Sequence, residues 1–241
     1  MIVGGMEPVL GVRSRGFTLV ELLIVIGLIA ILIAMLLPAV GSARRRAGSV
    51  ACLSNLRQWA VAANQYTGDY HNFLPRRGQG QQPTTVINRP SDWFNALPVM
   101  MRLTDYMDLV TQGQMPTAEN RSLWICPQAA DLPNSSGYLF TYGMNMRLST
   151  WETDLPDRID LIGSPSTMVF MADAPGGYCS ILPFNAPFSP VARHSGRVNI
   201  VFLDGHAESL PGNYVGCGIG DPQLANVRWL VPGSTWIGPV E

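Results

Sequence analysis

The chain has 241 residues, with 16 basic residues that are all arginine, 17 acidic residues and a formal net charge of −1. Charged residues make up 14% of it, against roughly 25% in an average soluble domain. Twenty of the 24 residues from Phe17 to Val40 are hydrophobic, and this concentration in one segment excludes a polytopic membrane protein, a disordered chain and a collagen-like repeat.

The remaining length beyond that segment is enough for one soluble domain with its own core. Residues 1–67 carry six Arg against Glu7 and Glu21, while residues 68–241 carry ten Arg against fifteen acids. An acidic globular part argues against nucleic acid as a partner, because phosphate binding needs net positive surface.

Leu22–Leu37 is an uncharged run, and it extends to Ala43 if Pro38, Gly41 and Ser42 are tolerated. Such a helix spans about 33 Å, enough for a hydrocarbon core of roughly 30 Å. A cleaved secretory signal fits poorly, since the run is too long and no small-residue cleavage site follows it. Glu21 stands out at one end of the run. A carboxylate in an apolar helix is costly without a partner, and no cation lies within the run. An amino terminus created between Gly16 and Phe17 on a neighbouring subunit would supply one.

The string Arg15-Gly16-Phe17-Thr18-Leu19-Val20-Glu21, followed by an all-apolar helix, resembles the amino terminus of type IV pilins and type II secretion pseudopilins. The resemblance implies that a prepilin peptidase cuts after Gly16 and methylates the amine of Phe17. It also implies that Glu21 pairs with the amino terminus of an adjacent subunit during assembly. Pro38 sits where many pilins carry a helix-bending proline. Arg13 and Arg15 fit a cytoplasmic start, whereas Arg44, Arg45 and Arg46 run against the positive-inside tendency, so the orientation rests on the resemblance.

Beyond Pro38, Val40, Ala43, Ala47, Val50, Ala51, Leu56, Trp59, Ala60, Ala63 and Tyr66 recur at helical spacing. Trp59 and Tyr66 are expected to pack on the head, with the arginine triplet facing solvent or headgroups. Thr67-Gly68 supplies a stop. The expected organisation is a leader at 1–16, a long helix at 17–67 that crosses the membrane at about 19–40, and a globular extracytoplasmic head at 68–241.

In the head, residues 75–92 read as a long polar loop and Trp93–Met107 as a short helix. Leu139–Gly143, Met168–Ala172, Arg197–Leu203 and His206–Leu210 read as strands. Asp204-Gly205 between the last two predicts a hairpin, with Val198, Ile200 and Phe202 on one face and Asn199, Val201 and Leu203 on the other.

His194 precedes Asp204 by ten residues, giving His-x9-Asp-Gly through Gly205. This spacing resembles the carboxy-terminal segment of a large bacterial group of pilin-like proteins. Cys52-Leu-Ser-Asn-Leu-Arg-Gln, Ile125-Cys126-Pro127 and Thr141-Tyr142-Gly143-Met144-Asn145 are further matches to that group. His194, Asp204 and His206 offer nitrogen and oxygen atoms to a metal, but no third protein ligand is evident beside the turn. The favoured reading is structural and metal-free, with His194 bonded to a carbonyl or to Asp204. A calcium ion near Asp204 stays open.

The four cysteines, at 52, 126, 179 and 217, all follow the apolar run, where disulfides are permitted. Three complete pairings exist. The expected one is Cys52–Cys126, stapling helix to head, with Cys179–Cys217 by elimination; four thiols remain the alternative. No Gly-x-Ser-x-Gly, Walker loop, His-Glu-x-x-His or Gly-x-Gly-x-x-Gly occurs.

The reading is a pilin-like α+β protein, with a long helix packed on an antiparallel sheet, no enzymatic activity and no cofactor. It is expected to be a single-pass protein of the bacterial inner membrane, with a cytoplasmic leader. Its expected partners are prepilin peptidase, other pilin-like subunits, the inner-membrane assembly platform and membrane lipid. A membrane-anchored binding protein that captures a ligand or secreted cargo is the rival, and a tethered enzyme is a more distant one.

Overall fold

A computed structural model describes residues 17–78, 87–117, 122–129, 138–149, 157–183, 188–218 and 224–230. The chain divides into two compact units, one ending at Ala43 and the other beginning at Arg44. Helix α1, Leu19–Asp69, contributes to both.

In the first unit, the apolar side chains of α1 are exposed on every side, from Leu19 and Val20 through Ile29 and Leu32 to Val40. By length and composition α1 can cross a membrane, and the mean hydropathy of its most apolar window is 3.1. Pro38 lies inside the helix and has no N–H to donate to the turn before it. Nearby, the Ser42 hydroxyl donates to the Ala39 carbonyl at 2.8 Å.

In the second unit, α1 buries one stripe: Cys52, Leu56, Trp59, Ala60, Ala63, Tyr66 and Thr67, with Ala62 beside it. Trp59 and Tyr66 pack as expected, whereas Ala47, Val50 and Ala51 stay exposed, so the buried stripe starts at Cys52. Arg44, Arg45 and Arg46 are exposed. The helix continues through Gly68 and ends at Asp69, after which His71 and Asn72 take left-handed backbone angles. Asn72 N–H closes on the Thr67 carbonyl at 2.8 Å. The stop is therefore made by these two residues and not by Gly68, because Asn tolerates that conformation better than most side chains.

The expected helix Trp93–Met107 is two helices, α2 at Trp93–Met100 and α3 at Tyr106–Thr111. Arg102 turns left-handed at φ 59°, and its N–H and that of Leu103 return to Val99 and Pro98, a Schellman-type ending. Asp105 then caps α3 by accepting from Asp108 N–H at 2.8 Å. The described ends of the loop at 75–92 are pinned together, with Arg76 N–H on the Ser91 carbonyl and Trp93 N–H on the Arg76 carbonyl.

The sheet has five strands: β1 Tyr142–Asn145, β2 Val169–Asp173, β3 Ser180–Ile181, β4 Arg197–Phe202 and β5 Ala207–Pro211, in the order β3-β1-β2-β4-β5. A short helix, α4 at Gly212–Val215, follows β5. All pairings are antiparallel except β1 with β3, which is parallel. The α+β class holds, and the sheet is mixed. The first expected strand lies three residues further along, because Thr141 spends its side chain bonding the Trp124 carbonyl and Cys126 N–H.

Strands β1 to β3 and most of β4 are buried on both faces, and the edge strand β5 is only partly covered. Val201 and Leu203 join the core against α1, while Val198, Ile200 and Phe202 join the opposite core with Val215 and Trp229, the alternation expected of β4. In β2 a register irregularity lies between Val169 and Met171. It puts Phe170 and Met171 both in the core against α1, with Val169 and Ala172 on the other side.

The hairpin at Asp204-Gly205 is present, with a longer loop than a two-residue turn. Gly205 N–H donates to the Phe202 carbonyl at 3.0 Å and Phe202 N–H to the His206 carbonyl at 2.9 Å, with Gly205 at φ 92°. This is the three-residue loop in which a turn is followed by a left-handed glycine.

Candidate functional site

The first site is the start of α1. Thr18 precedes its first residue, and Glu21 is the third residue within it. The Glu21 carboxylate accepts from Thr18 N–H at 2.9 Å and from its hydroxyl at 2.8 Å, while Glu21 N–H donates to Thr18 Oγ1 at 3.2 Å. This is a reciprocal capping box, which satisfies amide hydrogens that a helix start otherwise leaves open. Phe17 is exposed beside it, and Gly16 lies outside the described residues. The Thr18-x-x-Glu21 spacing ahead of an apolar run is itself a capping-box signal in the sequence.

The family model described as the prokaryotic N-terminal methylation motif matches residues 12–37. The match supports a type IV pilin-like protein. It implies processing by prepilin peptidase and assembly with pilin-like subunits, and together with the apolar helix it is consistent with a single-pass inner-membrane anchor. No curated protein and no solved structure matches the chain.

The second site of this pilin-like chain is in the head. Cys52, Cys126, Asp173 and His194 come from four separate segments, are all buried, and each offer one ligand atom within 4.8 Å of the others. Cys52 lies at the start of the buried stripe of α1. Cys126 is held by its N–H bond to Thr141 Oγ1, at 2.7 Å. Asp173 ends β2, and the bulge before it turns its side chain toward α1. His194 opens a tight turn into β4, with Ser195 and Gly196 at φ 56° and 80° and reciprocal backbone bonds between His194 and Arg197.

The contacts converge on one side of the imidazole. His194 Nε2 lies 3.2 Å from Asp173 Oδ2 and 3.5 Å from Cys126 Sγ, and the Cys52 thiol lies 3.1 Å from Asp173 Oδ1. The other ring nitrogen, Nδ1, is 2.6 Å from Gln128 Oε1. Asp173 Oδ2 also accepts from Asn199 N–H at 2.9 Å, and Arg193 Nε stands 3.9 Å from Oδ1. A hydrogen bond from Cys52 pulls the Cys126 thiol below its usual range; burial opposes this and His194 reinforces it. Burial disfavours charge on His194, but the bonds to Asp173 and Cys126 outweigh it and raise its pKa to about 9.

This arrangement does not form a nucleophile–base–acid relay. Such a relay uses the two ring nitrogens for different partners, whereas Cys126 and Asp173 share Nε2 here.

Several expectations change. None of the four cysteines is in a disulfide in this structure. Cys52 and Cys126 do meet, but as thiols that share their pocket with a carboxylate and an imidazole. Cys179 belongs to the core against α1 and Cys217 packs on the opposite one, so that pairing does not form. His194 does not reach Asp204, because β4 separates them by roughly 20 Å at 3.3 Å per residue. Asp204 instead bonds His206, accepting its N–H at 3.1 Å and approaching Nδ1 at 2.5 Å, while the His206 ring stacks on Phe202. The groups beside His194 are Asp173 and the Cys126 thiol, with Cys52 next to them, and not Asp204 or His206. Among the described residues, the grouping able to hold a metal is Cys52, Cys126, Asp173 and His194.

Proposed function

We propose that the chain is a structural pseudopilin-like subunit, cut by prepilin peptidase between Gly16 and Phe17, methylated on Phe17 and assembled into a type II secretion pseudopilus or type IV pilus-like filament. It acts by assembly and not by catalysis. The observation that carries this reading is the Thr18–Glu21 pair at the start of a helix whose first stretch, Leu19 to Val40, is apolar and exposed all round.

Cleavage would leave a cationic amine at Phe17, next to a helix end that already favours negative charge. Glu21 supplies that charge from within the helix. In an assembly, the amine of one subunit would meet Glu21 of its neighbour, and the pair would set the stagger between helices. Inside lipid there is little hydrophobic gain from helix association, so close packing and this ion pair guide it. Gly27, Ala30 and Ala34 are the small contacts available. The head would lie outside the inner membrane, with the assembly platform as the partner beneath.

The test separates charge from capping. In the native host, the wild-type chain is expected to begin at methylated Phe17 by mass spectrometry and to cross-link into multimers. Glu21→Gln keeps hydrogen-bond acceptors for the cap and loses the charge, so it should be processed yet recovered only as monomer. A chain that begins at Met1 in the presence of an active peptidase, or Glu21→Gln multimers at wild-type yield, would overturn the reading.

A further inference from the structure

We propose that Cys52 Sγ, Cys126 Sγ, one carboxylate oxygen of Asp173 and His194 Nε2 form a structural zinc site that ties α1 to the sheet. The site does not depend on the filament reading, since its four residues all belong to the head unit.

The geometry and the donor set support it. The ligand atoms lie within 4.8 Å of one another; His194 Nε2 is 3.5 Å from Cys126 Sγ and 3.2 Å from Asp173 Oδ2, and Cys52 Sγ is 3.1 Å from the other carboxylate oxygen, Oδ1. Zinc bonds of about 2.0–2.3 Å in a tetrahedron place ligand atoms roughly 3.3–3.8 Å apart, so the cluster needs only a small adjustment. The donor set of two sulfurs, one imidazole nitrogen and one carboxylate oxygen suits a borderline cation, and it would disfavour calcium or magnesium, which take oxygen ligands.

The surrounding groups are arranged as a metal site requires. Gln128 Oε1 occupies His194 Nδ1 and selects the tautomer whose Nε2 lone pair faces the other three ligands. Asn199 N–H fixes the Asp173 carboxylate. Two thiolates, a carboxylate and a neutral imidazole carry −3, which the cation reduces to −1, and Arg193 stands beside Asp173. Binding requires both sulfurs as thiolates and His194 neutral, releases whatever protons those three groups carry, and leaves no open coordination position, so the role is structural.

A Cys52–Cys126 disulfide is the competing state, because it would use both sulfurs. The first experiment is metal analysis of the full chain purified in detergent without chelator, together with its intact mass. One zinc per chain with all thiols reduced is expected. X-ray absorption should show two sulfurs at about 2.3 Å and two lighter ligands at about 2.0–2.2 Å.

Cobalt added after zinc removal should give a thiolate charge-transfer band that Cys126→Ser weakens and Cys217→Ser leaves intact. Asp173→Asn should lower zinc content without changing the thiol count. Two results would overturn the proposal. One is a mass lower by two hydrogens with the bond mapped to Cys52 and Cys126. The other is reduced wild-type protein that takes up no zinc from added Zn2+. Neither depends on whether a variant folds.

Discussion

The two stretches of α1 are written differently. From Leu19 to Val40 the apolar residues lie on every side of the helix and all are exposed. From Cys52 to Thr67 they form one buried stripe between exposed residues such as Arg57, Gln58 and Val61. A stripe answers to a single neighbour, whereas uniform apolarity answers to surroundings that are the same in every direction, such as lipid or identical helices. The second stretch carries its packing partners within its own chain. The first depends on what lies outside the chain.

The sharpest way to test this contrast is a pair of truncations. Trp59 is fully buried, meets Trp93 edge-on at 5.3 Å and Trp124 at 4.9 Å, and donates from Nε1 to the Leu123 carbonyl at 3.3 Å. Trp59→Ala should lower head stability by about 3–5 kcal/mol, read by denaturant unfolding of the full chain in detergent. Leu28→Ala, in the uniform stretch, should leave the same transition unchanged within about 0.5 kcal/mol. Equal effects would mean that the apolar stretch also packs on the head.

The same contrast explains what could be read from the sequence. The amino-terminal motif is contiguous, so residues 15–21 and the run behind them could be read directly, as could the hairpin marked by Asp204-Gly205. The Cys52–Cys126–Asp173–His194 cluster could not, because its members are as much as 142 positions apart. Both of its cysteines and its histidine stand out singly, but nearness along the chain links His194 to Asp204, and strand β4 holds those two apart. Asp173 is hidden in the sequence for a further reason. Strict alternation along Met168–Asp173 puts it on the face of Val169, and the bulge at Phe170-Met171 reverses that phase. The carboxylate at the end of an apolar run was the available clue.

A second prediction probes the head cluster through a residue that touches none of its ligands. A Cβ added at Gly48 would lie 2.7 Å from Gln128 Nε2 and 2.8 Å from its Cγ. Gln128 bridges the Arg45 carbonyl and His194, so shifting it disturbs both contacts. Gly48→Ala should therefore weaken zinc binding by about 10–100-fold, the usual effect of losing such a partner. Competition with a zinc chelator would measure it. An unchanged affinity would show that Gln128 does not orient the imidazole.

The smallest effect belongs to the start of α1, and it separates two roles that Glu21 combines. Thr18→Ala removes the hydroxyl that donates to Glu21 and accepts from its N–H, while the carboxylate charge stays. Loss of such a cap costs about 1 kcal/mol, and the cost should be confined to the first turn. Amide exchange at residues 19–22 should rise by about fivefold, the factor that 1 kcal/mol represents, with head unfolding unchanged. Multimer yield should also persist, since the charge that pairs with a neighbouring amine remains. If Thr18→Ala abolished multimers as Glu21→Gln is expected to, the geometry of the cap would govern assembly and the charge alone would not suffice. If it moved head unfolding, the helix start and the head would not be energetically separate, and the distinction between the two stretches of α1 would fail at its root.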